Sequence, residues 1–133
     1  MSRIHIYQAK IVEVIDGDTF DLMIDEGFSN FTQQRMRLYG IDAPELRTNA
    51  GKSVAAEVWN RFQSIGWNCV VQSVEAPKRK QFRDKYGRFL AIIYDAWPIA
   101  SLAITNGQKI LEVAPLSLNA RLINDGLVKE RYW

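Results

Sequence analysis

Short apolar runs separated by turns rich in Asp and Gly fill the first third of the chain. Three of these runs, Ile4–Ile15, Phe20–Ile24 and Thr32–Ile41, are rich in Ile, Val, Phe and Tyr. Runs of this composition, bounded by turn residues, are typical of β-strands. The pattern therefore predicts a meander of three strands.

The spacing of apolar residues changes after the meander. Between about residues 51 and 65 they recur at the spacing of one helical face, and Gly66 follows as a C-terminal cap. The apolar positions are Val54, Ala55, Val58, Trp59, Phe62 and Ile65. We expect one amphipathic helix here, with Trp59 and Phe62 in the core.

Two further strands and a short helix are predicted in the rest of the chain. Trp67–Val74 and Arg88–Asp95 are strand-like, with a polar loop between them, and Ser117 can cap a helix that stops at Gly126. Five strands with a helix after the third are typical of a small closed barrel. We therefore predict an α+β protein with the OB-fold, formed by a single domain over residues 1–133.

A hairpin insertion is predicted at about residues 98–115. Asn106 and Gly107 form the strongest short hairpin signal in the chain, and the flanking runs Ile99–Ile104 and Lys109–Val113 are apolar. Two arrangements stay open: the segment folds over the barrel, or it leaves an exposed edge that pairs with a second copy. We favour the second arrangement and expect a homodimer.

Composition and charge narrow the class of protein. The 133 residues are 47% hydrophobic and 24% charged, which is typical of one soluble domain. Cys69 is the only cysteine, so no intramolecular disulfide forms, and we interpret it as a buried structural thiol. No apolar run approaches the roughly 18 residues of a membrane span, so we expect no membrane partner and a cytoplasmic location. A chain whose signal peptide had been removed would look the same, which leaves secretion open.

Acidic and basic side chains cluster in two turns. Asp16 and Asp18 flank a glycine, and Arg37, Asp42 and Glu45 follow in the motif "RLYGIDAPE". Asp18 by itself is an ordinary turn residue. Together, however, these groups match phosphodiester hydrolysis, which needs positive charge on the phosphoryl oxygens and an activated water.

The type of metal that these acids favour follows from their chemistry. Carboxylates without a histidine or thiolate partner select a hard cation such as calcium or magnesium over zinc. His5 is the sole histidine and is assigned a structural role.

The spacing of Arg37 and Asp42 sets a condition on the backbone. Asp42 lies five positions after Arg37, and an odd step along a regular strand sends side chains to opposite faces. A shared site therefore requires the strand to end, bend or bulge between them. We place that break at Gly40.

Three motifs in register resemble the staphylococcal nuclease family. They are "VIDGDTFDL", "RLYGIDAPE" and "DKYGRFLAIIY", and the resemblance covers residues 10–94 before resuming at "SLNARLINDGLV". The resemblance implies an OB-type barrel with a calcium-dependent phosphodiesterase site. Such a site would cut DNA and RNA and leave 3′-phosphate ends.

The resemblance also implies a role for each matching residue. The calcium ligands would be Asp18, Asp42 and the backbone carbonyl of Ala43; the catalytic residues would be Arg37, Glu45 and Arg88; and the substrate contacts would be Lys85, Tyr86 and Tyr132. Three features depart from the family: Ala43 stands in place of a threonine, no segment matches the third helix, and residues 98–115 are additional. We place Asp16 either in the turn or among the residues around the metal ligands, where its charge could tune the site without touching the metal.

A basic loop points to nucleic acid as the partner. Residues 78–88 hold six Lys or Arg and one Asp, a run that in isolation is most often solvated. Next to the third motif it suits phosphate binding, with Phe82 and Tyr86 available to stack on bases. We expect single-stranded DNA and RNA as partners. The alternative is a non-catalytic nucleic-acid-binding or protein-binding module on the same fold.

Overall fold

The computed structural model describes residues 5–64, 66, 68–74, 89–95, 104 and 107–132. Within these ranges the strands are β1 (Ile6–Asp16), β2 (Thr19–Gly27), β3 (Asn30–Leu38), β4 (Ile41–Asp42), β5 (Asn68–Ser73), β6 (Phe89–Tyr94) and β7 (Lys129–Glu130). The helices are α1 (Asn49–Ser64), α2 (Ile110–Val113) and α3 (Leu118–Asn124).

Five strands close into a barrel in the order β1-β2-β3-β6-β5, with β5 pairing back to β1. The β3–β6 pair is parallel, and the other pairs in the barrel are antiparallel. Helix α1 follows the third strand, as predicted. The predicted barrel is thus confirmed, and its strand order is consistent with the OB-fold.

The main core lies between the barrel and α1. Val54, Val58 and Phe62 are buried on one face of the helix, and the Phe62 ring meets Phe20 edge to face with centroids 5.2 Å apart. The prediction for Trp59 is wrong, since it is 46% exposed. Successive residues of a helix are rotated by about 100°. Trp59 therefore lies beside the face that carries Val54, Val58 and Phe62 and does not contact the barrel with them.

The predicted hairpin is wrong in its second strand. Residues 110–113 form α2 instead, while Asn106 and all of Ile99–Ile104 except Ile104 lie outside the described residues. Ile104, Ile110 and Ala114 are buried in a second apolar cluster with Tyr39 and Ile92. Ile110 and Ala114 are four residues apart, which places both on one side of a helical turn. These residues therefore fold onto the barrel. This is the first of the two arrangements that the sequence left open, and not the one that we favoured.

Gly40 breaks the chain after β3, as predicted. Strand β3 ends at Leu38, and Gly40 has φ +79°. A Cβ atom there would lie 2.7 Å from Ile110 and 2.8 Å from the Tyr132 ring. Glycine is therefore required both for the left-handed backbone and for the close approach of these two side chains.

Helix α3 is anchored by a capping serine and a buried asparagine. The Ser117 hydroxyl accepts the Ala120 backbone N–H, which confirms the predicted cap. One residue into the helix, the Asn119 Nδ2 donates to the carbonyls of Tyr39 and Ala91, and its Oδ1 accepts the Ile93 N–H. One side chain thus holds α3 against β6 and against the turn that leads to β4.

Candidate functional site

The turn between β1 and β2 positions Asp18. Asp16 is the last residue of β1, and its Oδ1 accepts the Asp18 backbone N–H at 3.0 Å across the turn. A Cβ atom on Gly17 would lie 2.8 Å from Ala43 and 2.8 Å from Val54. The glycine therefore lets the turn pack directly against α1 and against the segment that carries Asp42.

The carboxylate of Asp18 is buried and hydrogen-bonded. Its Oδ1 accepts the Thr19 hydroxyl at 3.1 Å, and its Oδ2 accepts the Ala43 backbone N–H at 3.0 Å. Burial, and then a hydrogen bond with Asp16, raises the pKa of Asp18 to about 6. The surroundings of this carboxylate therefore neutralise its negative charge only in part.

Arg37 joins the two predicted metal ligands. The guanidinium is buried at the end of β3, and its Nη2 donates to the Ile41 carbonyl at 3.0 Å. The same nitrogen lies 3.8 Å from the Asp18 Oδ2 and 3.7 Å from the Asp42 Oδ1. The break at Gly40 thus brings Arg37 and Asp42 together, as the sequence required.

A second arginine, absent from the sequence predictions, contacts Asp42. The Arg131 Nη1 lies 3.3 Å from the Asp42 Oδ2, and the Arg131 backbone N–H donates to the Gly40 carbonyl. Strand β7 brings Arg131 there by pairing with β4. Two-residue strands carry no periodic signal, so no local pattern marks this contact in the sequence.

Glu45 lies in the loop between β4 and α1. Its backbone carbonyl accepts from the N–H and the hydroxyl of Thr48, and a Cβ atom on Gly51 would lie 1.8 Å from that carbonyl oxygen. Its carboxylate is 67% exposed and pairs with Arg47. The loop backbone is therefore packed tightly on α1, while the carboxylate faces solvent rather than Asp18.

Three predicted residues, Lys85, Tyr86 and Arg88, lie outside the described residues. Tyr132 is described, and it connects α2 to the tail of the chain. Its hydroxyl accepts the Ile110 N–H at 2.9 Å and donates to Glu130 at 3.0 Å, while the Lys109 ammonium lies 4.3 Å from the ring centroid. Burial raises the pKa of Tyr132 to about 12.

A pocket of about 430 Å³ opens beside Tyr132. It is lined by Lys109, Leu111, Glu112, Glu130, Arg131 and Tyr132. Because Arg131 also contacts Asp42, this pocket borders the site formed by Asp18, Arg37 and Asp42.

The oxygen atoms at the site fit a hard cation. The Asp18 oxygens accept the Thr19 hydroxyl and the Ala43 N–H, and a carboxylate oxygen can accept more than one such partner. The partly neutralised charge of Asp18 would be offset by a cation. Among the described residues, no group of three or more acidic, His or Cys side chains converges as a metal cage. Asp18 and Asp42 could hold calcium only together with backbone oxygen and water, the composition of a weak, water-rich site.

No protein-family model matches the chain. It is 27% identical over 124 residues to Protein ParB of Escherichia coli, in an alignment that covers 90% of this chain and 55% of ParB. The chain therefore spans about half the length of that distant relative. Within the part of the chain that the structure describes, no helix is long and apolar enough to cross a membrane.

Proposed function

We propose that this chain is a calcium-dependent phosphodiesterase of the staphylococcal nuclease type, which hydrolyses DNA and RNA to products with 3′-phosphate ends. One observation carries the proposal: Asp18 and Asp42 both lie within 4 Å of a single nitrogen of buried Arg37. Arg37 thus links the two carboxylates, and Arg131 also contacts Asp42. Burying the Asp18 carboxylate costs stability, which favours a functional reason for keeping it.

Each residue has a defined task in the proposed reaction. Water attacks phosphorus, the bond from phosphorus to the 5′ oxygen breaks, and the phosphate stays on the 3′ oxygen. Glu45 orients the water or takes its proton, while Arg37 and Arg88 stabilise the charge that builds on the phosphoryl oxygens. Calcium bound at Asp18, Asp42 and the Ala43 carbonyl would supply further positive charge beside those oxygens.

The proposed substrates are single-stranded DNA and RNA. The six Lys and Arg residues between positions 78 and 88 supply the positive charge that binds a phosphate backbone, and Lys85 and Tyr86 would contact a substrate phosphate. Tyr132 would pack against the nucleotide through the part of its ring that borders the pocket. Bases exposed in a single strand stack on aromatic side chains without sequence preference.

A non-catalytic binding module is the second candidate function. The observation that favours it is the orientation of Glu45, whose carboxylate pairs with Arg47 and is largely exposed. In that case the basic loop would bind nucleic acid, and no bond would be broken. The two functions differ in one measurable property, which is product formation.

The deciding experiment compares cleavage of a single-stranded oligonucleotide in calcium, in magnesium and in EDTA. We expect cleavage in calcium and none in EDTA, with loss of activity in Asp42→Asn. Glu26→Gln is the matched control, because it removes an acidic charge at an exposed position of β2. Equal cleavage in calcium and EDTA would refute the calcium-dependent site. Tight binding without any cleavage would support the binding module instead.

A further inference from the structure

Asp42 lies between two arginines that differ in their freedom to move. Arg37 is almost completely buried, and its Nη2 also donates to the Ile41 carbonyl. The Arg131 side chain is 60% exposed, and its Nη1 contacts the other oxygen of Asp42, at 3.3 Å. Arg37 is therefore a buried partner of Asp42 and Arg131 an exposed one, and an exposed ion pair contributes little to stability.

We propose that Arg131 is a positioning residue that occupies Asp42 in the cation-free protein and moves to a substrate phosphate when a divalent cation binds. This inference rests on the proposed function, because it requires Asp42 to be a cation ligand. The inference couples the binding of two ligands: the cation displaces Arg131 from Asp42, and Arg131 then binds the nucleic acid.

Charge favours the exchange at Asp42. A carboxylate oxygen that donates electron density to a divalent cation becomes a weaker acceptor for Arg131. The cation also repels the guanidinium, and this repulsion weakens over the distance that the side chain can move. Arg131 therefore competes with the cation for Asp42 and lowers the affinity of the site for calcium when nucleic acid is absent.

The backbone defines where the released side chain can reach. Because the Arg131 N–H donates to the Gly40 carbonyl, the base of the side chain stays fixed while its guanidinium moves. Arg131 also lines the pocket beside Lys109 and Tyr132. A guanidinium that leaves Asp42 therefore stays beside Lys109 and the Tyr132 ring, in a pocket that Glu112 and Glu130 also line. Together Arg131 and Lys109 would give a nucleotide phosphate two cationic partners.

Thermodynamic linkage makes the coupling reciprocal. If calcium frees Arg131 for a phosphate, then calcium strengthens nucleic-acid binding and nucleic acid strengthens calcium binding by the same factor. A variant without the guanidinium should bind calcium more tightly by itself, since nothing competes for Asp42. The same variant should lose part of the strengthening that calcium gives to nucleic-acid binding.

The test measures calcium binding by titration calorimetry in the wild type, Arg131→Gln and Lys129→Gln. Lys129 is the matched control: it is exposed and opposite Asp42 in the β4–β7 pairing, but it forms no ion pair with a described residue. At physiological ionic strength we expect Arg131→Gln to bind calcium about two- to fivefold more tightly than Lys129→Gln, the range of one exposed ion pair. A second titration uses a single-stranded oligonucleotide with a non-hydrolysable backbone, with and without calcium. There, Arg131→Gln should show a smaller gain from calcium than Lys129→Gln.

The outcomes separate this inference from the proposed function. Calcium binding that is equal in Arg131→Gln and Lys129→Gln overturns the inference and leaves the calcium site intact. Absence of calcium binding in the wild type and both variants overturns the proposed function, and the inference with it. Calcium binding that is detectable only in Arg131→Gln supports the competition at Asp42.

Discussion

Asp18 combines a structural cost with a proposed role. Its carboxylate is buried next to Asp16, and its pKa of about 6 means that the folded protein disfavours the charged form. Residues that destabilise the fold are often retained because the site needs them. The balance between stability and function at Asp18 is therefore measurable.

The first prediction is that Asp18→Asn stabilises the calcium-free protein at pH 7. Asparagine keeps the size of the side chain and an oxygen for the Ala43 N–H, but it removes the buried charge. A pKa shift from 3.8 to about 6 corresponds to roughly 3 kcal/mol as an upper bound, so we expect a gain of about 1–3 kcal/mol. Urea unfolding in EDTA measures the gain, with Glu26→Gln as the exposed control. A loss of stability in Asp18→Asn would mean that the carboxylate holds the fold together.

The pH dependence of the same residue is the second prediction. Because the folded state raises the pKa of Asp18, the folded protein binds this proton more tightly than the unfolded chain does. The stabilisation that comes from this tighter proton binding is complete below pH 3.8 and is lost as the pH rises through about 6. The advantage of Asp18→Asn in EDTA should therefore grow between about pH 4 and pH 7. If the stability difference between Asp18→Asn and the wild type is constant over this range, titration of Asp18 is not its cause.

Glu45 is the subject of the third prediction. Glu45→Gln keeps the shape of the side chain and removes its charge, so we expect a loss in kcat of about a hundredfold or more with little change in KM. Arg37→Ala and Arg88→Ala should each cost at least as much, through lost stabilisation of the phosphoryl charge. Steady-state kinetics on a single-stranded oligonucleotide in calcium provide the measurement. A nearly neutral Glu45→Gln would agree with the exposed position of this carboxylate and remove it from the catalytic set.

At the scale of single elements, helix α1 and the loop before it fit together through Gly51. The glycine is buried in the first turns of the helix, where its missing side chain makes room for the Glu45 carbonyl. Alanine in a helix is ordinarily about 1 kcal/mol better than glycine. The contact with the loop reverses that preference here.

The fourth prediction is that Gly51→Ala destabilises the protein by about 1–3 kcal/mol, the usual cost of overpacking. The added methyl group would displace the Glu45 backbone, so cleavage activity should fall as well. Ser53→Ala in the same helix is the control, because Ser53 is exposed and the substitution adds no atom near the loop. Thermal unfolding and cleavage assays provide the two readouts. If Gly51→Ala stabilises the protein, the loop that carries Glu45 can move away from the added methyl group without a loss of stability.

Elements with a local signal could be predicted from the sequence, whereas those of two to four residues could not. Strands with long apolar runs, the Gly40 break and the Ser117 cap are found where the local sequence places them. Helix α2 has only four residues, and its apolar positions suit either a strand or a helix until packing decides. The contact between Arg131 and Asp42 depends on a pairing that joins distant parts of the chain. Local patterns predict such pairings poorly, because their stabilisation comes from tertiary contacts.

At the scale of the whole molecule, residues 107–114 complete the surface of the barrel. The Tyr39 hydroxyl accepts the Gly107 N–H and donates to the Gln108 carbonyl, and Ile110 is fully buried. These contacts connect the segment to the turn after β3. The segment is therefore part of the folded unit.

The fifth prediction compares two apolar residues on either side of Ala114. Ile110→Ala should cost about 2–5 kcal/mol, as expected for a buried aliphatic side chain. Leu116→Ala should stay within about 0.5 kcal/mol, because Leu116 is 72% exposed. Chemical denaturation of both variants makes the comparison, and similar losses would contradict the packing of α2.

The homodimer expected from residues 98–115 stays a prediction. Its original basis was an exposed apolar edge, and the described apolar residues Ile104, Ile110 and Ala114 are instead buried within the chain. Light scattering of the intact protein at micromolar concentration measures the mass directly.

The pairing of β4 with β7 has a consequence for synthesis on the ribosome. Asp42 and Arg131 are 89 residues apart, whereas Asp18 and Arg37 emerge together in one hairpin. At about 5–20 residues per second, translation needs roughly 4–18 seconds to deliver Arg131 after Asp42. During that interval the nascent chain lacks the strand that completes this side of the proposed active site. Under the proposed function, a nuclease that accepts RNA would thereby stay incomplete while it is still attached to the message that encodes it.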